Sequence, residues 1–513
     1  MEREKLQALI GEEPSFCNKG RNSSLSTANK LLISSGVVGC TIDLSKKSVD
    51  FAGLPLEFHS DGGDSGDYVP TVGRWGSEWP SPGQGSVRFR NNGLTDPECH
   101  NDVTIKATAL RNYASHVAAA SAVTGKSNTT NKWITEDGYN LAAFEQTVGA
   151  WQIKHPLPLP KWKAESKKVL TVENIWQYED MVALFELLLQ RMIEETHYDT
   201  VHNFLEFYQS YKKSNTKSLR RFFKNYVPPV NRRHHMCVSL GMEIISRISE
   251  VYPEIAELFY LVSCEEAVED VPSYIDNCEE ERIEMAAFSL EKEHVLVAMK
   301  INVAGRDGIL ILDPGYHVAR AVTIMKDQVY PHTGWFTQSD EPACKREYLY
   351  VFNPNSDSFI EWRERTLRAG KSKLETSLVF VERPYMTAID VTVRRNLVYN
   401  FRSLLSRNGK GRVCAGIYFP IANNTTDAYL TIFYDTANGQ SIKSKQLFTI
   451  FNDTSRIPGS VMQHLQCLAP QLRLELDELI ALLKLAADCM SDFDFVKHLL
   501  HINDDIGEMS ADN

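Results

Sequence analysis

The strongest constraint in this chain is a pair of β-rich runs, His294 to Val303 and Gly308 to Leu312, separated only by Gly305-Arg306-Asp307-Gly308. A connection that short joins antiparallel neighbours, because a parallel crossover needs a dozen residues or more. Further strand candidates follow: Glu347 to Phe352, Thr376 to Glu382, Thr387 to Val393, Gly411 to Phe419, Ala428 to Tyr434 and Gln446 to Phe451. Helical periodicity comes before them, in Val172 to Glu195, Thr200 to Tyr211 and a helix starting near His235 or Met236 and ending before Pro253. It returns after them, between Ser460 and Leu500. Helices, then antiparallel strands, then helices predict an α+β fold and exclude a doubly wound parallel sheet.

The domain reading follows the same changes of pattern. Residues 1–110 form an irregular Gly/Ser/Pro-rich region, turn-forming between Ser60 and Asn92, with short apolar runs such as Leu31 to Val38. Residues 165–455 form the core, 456–503 the C-terminal helices and 504–513 an acidic tail. The acidic stretch Glu265 to Glu284 reads as a solvated loop or short helix.

Composition narrows the function. The net charge of −11 argues against polyanion binding by the whole chain. No run reaches the roughly 18 to 20 apolar residues of a membrane span. The start, Met1-Glu2-Arg3-Glu4-Lys5, lacks an apolar signal segment, which points to the cytoplasm or nucleus. The ten cysteines contain no CxxC, so zinc-finger and thioredoxin-like readings lose their signature. His234, His235, His294, His317 and His332 show no metal-ligand spacing, and no metal is expected. No glycine-rich phosphate loop is present, and no cofactor is expected. The basic segment Lys212 to His235 interleaves Phe222, Phe223 and Tyr226 with its charges; a solvated helical face explains it better than nucleic-acid binding.

One constellation carries chemistry. Cys237 stands at a helix start behind Arg232-Arg233-His234-His235, where the free N–H groups and the helix dipole favour a thiolate. His294 opens the first strand of the hairpin, and Asp313 closes the second in Leu312-Asp313-Pro314-Gly315-Tyr316. Those two strand ends are neighbours, and a diagonal pairing or a bulge would let Asp313 hold one imidazole nitrogen while the other meets Cys237.

This order resembles the papain-like superfamily that includes transglutaminases and arylamine N-acetyltransferases. There a cysteine starts a helix, a histidine starts a later strand and an aspartate ends the next. The Leu312-Asp313-Pro314-Gly315-Tyr316 run is similar both to the transglutaminase D-P ending and to the acetyltransferase D-V-G-F-G ending. Two departures keep the subfamily unassigned: Val238 and Ser239 stand where transglutaminases place a Trp, and Arg233-His234-His235 replaces the acetyltransferase Arg-Gly-Gly lead-in. The resemblance implies a helical lobe bearing the cysteine and an antiparallel sheet or barrel bearing His294 and Asp313. It also implies acyl transfer, or amide or thioester hydrolysis, through a thioacyl intermediate, with an acyl donor or a peptide or protein as substrate. Asn231, six residues before Cys237, is the oxyanion candidate. Tyr316 and Trp335 are candidates to line the pocket, Trp335 through the loop Tyr330 to Phe336. The alternative expectation is a catalytically inactive member of the fold that serves as an interaction module. Oligomeric state is not legible.

Overall fold

The computed structural model describes residues 131–153, 155–279, 291–341, 343–422 and 428–511; the expectations for residues 1–110 lie outside them. The order begins with a short hairpin, β1 (Ile134–Thr135) and β2 (Gly138–Tyr139), and then β3 (Leu170–Val172). Next come α1 (Ile175–Glu195), β4 (His197–Asp199), α2 (Val201–Lys213), α3 (Leu219–Asn225), α4 (Cys237–Val251) and α5 (Pro253–Ala256). The strands β5 (Tyr260–Glu265), β6 (His294–Val303), β7 (Arg306–Leu312), β8 (Val322–Met325) and β9 (Phe336–Glu341) follow, with α6 (Val271–Glu279) after β5. Then come β10 (Cys344–Phe352), β11 (Phe359–Arg368) and β12 (Lys371–Phe380). After α7 (Arg394–Val398), strands β13 (Phe401–Arg407), β14 (Val413–Pro420), β15 (Tyr429–Asp435) and β16 (Ser441–Leu447) lead to helices α8 (Gly459–Gln471), α9 (Leu476–Met490) and α10 (Phe493–Ala511).

The result is a mixed α/β architecture around a curled antiparallel sheet. Its nine strands run β8-β7-β6-β5-β12-β11-β10-β9, and β3 joins β6 in parallel. A second sheet runs β16-β15-β14-β13-β4. Alternation along β6 splits the core in two. Val295, Val297, Met299 and Ile301 face α1 and α4, whereas Leu296 and Ala298 face an aromatic layer that includes Tyr348, Tyr350 and Trp362. Helix α4 lies tight on the first face because Gly241 carries no side chain: a Cβ there would sit 2.9 Å from Leu261 and 3.1 Å from Val297. The second sheet and helices α2, α8, α9 and α10 enclose a core of their own.

The hairpin forms as an antiparallel pair, β6 with β7, but its turn is Ala304-Gly305, both at positive φ (51° and 80°), one place earlier than the glycine spacing suggests. Thr387 to Val393 is not a strand: Ala388–Val393 forms a π-helix continuous with α7 and fully buried. The run Gln446 to Phe451 ends a strand and turns into a 3-10 helix that buries Phe448 and Phe451. Helix α10 continues past Asn503 to Ala511 because Ile502 and Ile506 keep an apolar face in the core.

Candidate active site

The helix start, the strand start and the strand end do meet. Helix α4 opens at Cys237; the Met236 N–H donates to Ser239 Oγ (2.9 Å), which occupies one of the groups a helix start leaves free. The lead-in is clamped from three sides. Arg232 bonds Glu243 through Nε and Nη2, both at 2.9 Å, while Arg247 Nε (3.0 Å) and Tyr139 Oη (3.0 Å) donate to the same carboxylate. Burial pushes the Glu243 carboxyl up, and the two arginines overcome it, taking it down to about 2. Asn203 Nδ2 donates to His234 O, and the Asp199 N–H to His235 O.

In the hairpin register Val297 faces Leu312, so Asp313 falls opposite Leu296, one diagonal step from His294 and on the same face. That is the diagonal pairing, with the β6–β7 ladder unbroken. His294 Nε2 lies 2.9 Å from Asp313 Oδ1, which also accepts the Tyr316 N–H at 3.1 Å. Cys237 joins Asp313, as the smaller influence, in raising the pKa of the same imidazole. With Nε2 committed to Asp313, Nδ1 is the nitrogen left for sulfur. Gly315 bounds the separation independently: a Cβ built on it lies 2.6 Å from His294 Cε1 and 2.9 Å from Cys237 Cβ, so these two atoms are at most 5.5 Å apart. Burial works against the His294 imidazolium, but the charge and hydrogen bond of Asp313, joined by Cys237, hold its pKa well above the ordinary histidine range.

The site is closed. Cys237, His294 and Asp313 are 1%, 2% and 0% exposed. The backbone of Gly315 covers Cys237 and the edge of His294. Tyr316 stands edge-on to the His294 ring, with centroids 4.4 Å apart, and its hydroxyl donates to Glu266. The covering loop is tied down by partners far away in sequence. Gln338 Nε2 donates to Tyr316 O and His317 O. Arg407 Nη1 donates to Pro314 O (3.1 Å) and lies 3.2 Å from His317 Nδ1. Burial, then Arg407 and His294, hold His317 well below the usual histidine range, so its ring is the neutral acceptor of that contact.

The remaining candidates are placed as follows. Tyr316 lies beside His294 and bonds Asp313 through its N–H. Asn231 Oδ1 instead accepts the N–H groups of Arg233 and His234 (both 2.8 Å), shaping the turn into α4. Trp335 is 40% exposed and the Arg365 guanidinium lies over its ring at 4.4 Å. In the basic segment, Phe222, Phe223 and Tyr226 turn inward against Phe207, while Lys212 and Arg220 pair with Asp492 and Asp505.

A second group was not foreseen. Asp199 Oδ2 lies 2.7 Å from His202 Nδ1 and 2.9 Å from His234 Nδ1, and Asp199 Oδ1 accepts the N–H groups of Val201 and His202. These ligand atoms are close enough together for a metal ion. The imidazoles, however, are stacked face to face, 4.1 Å apart and 14° from parallel, so an ion could not lie in both ring planes unless one ring turned. The Asp199 and His202 spacing at a helix start was the only local signal. Glu266, Gln338 and Arg407 had none.

No protein-family model and no curated protein matches the chain. Among solved structures, an arylamine N-acetyltransferase of Nocardia farcinica overlaps 57% of this chain and 86% of its own, at 12% identity and a TM-score of 0.28. An overlap that loose has no bearing on activity.

Proposed function

We propose that the protein is a cysteine-nucleophile enzyme in which Cys237, His294 and Asp313 perform acyl transfer, or amide or thioester hydrolysis. The carrying observation is that one buried imidazole is bonded through Nε2 to a carboxylate and lies beside the cysteine that opens a helix. The Cys237 thiolate adds to a substrate carbonyl, and the N–H groups of the first turn of α4 are available to the oxyanion. His294 gives its proton to the leaving group. It then takes one from the incoming water or amine as the thioacyl bond breaks. Asp313 keeps the ring oriented and supports its charge.

A second reading, the inactive interaction module, is favoured by the closure of the loop over Cys237. Alkylation separates the two. An ordinary thiol is only about 0.3% thiolate near pH 6. In native protein near that pH, iodoacetamide should label Cys237 ahead of the exposed Cys467, and His294→Gln should remove the advantage. Labelling of Cys467 with Cys237 untouched would leave the module reading standing.

A further inference from the structure

We propose that Glu266 is the docking group for a positively charged part of the substrate, an ammonium or guanidinium, and that the Tyr316 hydroxyl holds this place while the site is closed. The inference rests on the nucleophile reading above. Glu266 directly follows β5 and is 5% exposed. One carboxylate oxygen, Oε1, accepts the Tyr316 hydroxyl; the other, Oε2, is buried with no hydrogen-bond partner among the described residues. A carboxylate oxygen only accepts, so the missing partner is a donor, and for an ionised group a cation is the best one.

The surroundings set that oxygen apart. Glu265 is matched by Lys292 at 2.8 Å, and Glu291 by Arg395. Among the described residues Glu266 and Glu293 have no ion pair, yet the Glu266 N–H donates to the Glu293 carboxylate at 3.2 Å. Burial, and then the charges of Glu265, Glu291 and Glu266, push Glu293 well above the carboxylate range. Glu293 is thereby held in its neutral form, which leaves Glu266 Oε2, beside the Tyr316 hydroxyl, as the acceptor that a cation can still meet.

Tyr316 links the two. Its ring rests on His294, its hydroxyl reaches Glu266, and its neighbour Gly315 covers Cys237. A cation that takes the hydroxyl's place can bond both Glu266 oxygens, and the same displacement uncovers the thiol. A neutral substrate gains nothing at Glu266, and an anion is repelled.

Three methanethiosulfonates test this without a known substrate: the 2-aminoethyl (cationic), 2-sulfonatoethyl (anionic) and methyl (neutral) reagents. The Cys237 thiolate attacks the sulfenyl sulfur, a new disulfide forms, and methanesulfinate leaves with the electron pair of the broken S–S bond. Peptide mass spectrometry follows Cys237, with exposed Cys467 as the internal control. The cation-to-anion rate ratio at Cys237 should exceed that at Cys467 by roughly 10- to 100-fold, the scale of a hydrogen bond to a charged group. Glu266→Gln, which can still accept from Tyr316, should bring the two ratios together. Tyr316→Phe should speed all three reagents at Cys237 and keep the preference; it carries the test should the glutamine variant fail to fold. A wild-type ratio equal to that of Cys467, a preference that survives Glu266→Gln, or one lost in Tyr316→Phe overturns the assignment. Methyl-reagent labelling without charge preference overturns the docking role alone. Failure of even the methyl reagent at Cys237 overturns the nucleophile reading, and the docking role with it.

Discussion

Replacing Gly315 by Ala tests the closed loop directly. The new methyl would sit 2.6 Å from His294 Cε1, 2.9 Å from Cys237 Cβ and 3.3 Å from Cys237 Cα. Something must move by about 0.8 Å for the closest contact to reach the ordinary 3.4 Å. Cys237 begins a buried helix, and the His294 ring is fixed by Asp313 and packed against Tyr316, so neither yields easily. The loop does, at the expense of its bonds from the Tyr316 N–H to Asp313 and from Gln338 to Tyr316 O and His317 O. Overpacking of this kind costs about 1–3 kcal/mol. Charged to the closed state, it raises the population of the open loop by about 5- to 140-fold, at tenfold per 1.4 kcal/mol. Cys237 alkylation, gated by local opening, should accelerate by the same factor while Cys467 keeps its rate. The assay is residue-resolved iodoacetamide labelling in native buffer, with urea unfolding in parallel. Loss of stability with unchanged or slower Cys237 labelling would mean that the methyl displaces the helix or the imidazole, and that the loop does not control access.

Two further outcomes concern the supports of the site. Lys292→Met strands the buried Glu265 carboxylate opposite a 2.8 Å ion pair, and should cost about 3–5 kcal/mol in urea unfolding. Adding Glu265→Gln should recover most of that loss, and a single-variant cost below about 1 kcal/mol would mean the carboxylate is hydrated. At Asp199, burial pushes the carboxyl up, but His202 and His234 hold it well below its usual range; burial lowers His202, and Asp199 raises it above its own. The Asp199 contribution is complete above about pH 3.9 and lost as pH falls through its folded value; that of His202 is complete below about pH 6.5 and lost as pH rises through its folded value. Asp199→Asn should therefore destabilise more near pH 5.5 than near pH 8.5, and the reverse order in urea unfolding would dismiss the charged pair.

Where burial followed local periodicity, the secondary structure was legible. Alternation along β6 and β7 and the helical stripe of α4 are set by neighbours a few residues away. The errors have physical causes. Thr387 to Val393 is rich in β-branched residues and reads as a strand, but Asp390 pairs with Arg394 one turn on, and Thr392 Oγ1 donates to Lys292 O, so the segment coils. Strand β16, Ser-Ile-Lys-Ser-Lys-Gln-Leu, is an edge strand with little apolar face, and the visible signal belonged to Phe448 and Phe451 beyond it. Glu265 and Glu266 read as solvated because their partners, Lys292 and Tyr316, lie 27 and 50 residues away.

The same division runs through the site. Cys237, His294 and Asp313 stand at the ends of elements, where the backbone leaves groups unpaired and a side chain can turn out of the layer; such positions can be read from pattern and spacing. Access to them is decided elsewhere. The loop over Cys237 is held from β9 by Gln338, from the end of β13 by Arg407 and from the end of β5 by Glu266, three segments with no shared motif. The Arg407 and Glu266 contacts are buried and those of Gln338 half-buried, so loss of one partner leaves the other poorly satisfied. Closure is therefore cooperative: releasing Tyr316 from Glu266 removes one of the ties that keep Gly315 against the thiol. Under the proposed function, reactivity of Cys237 would be the product of a local thiol–imidazole interaction, legible along the chain, and an opening equilibrium set by side chains that meet only in the folded protein.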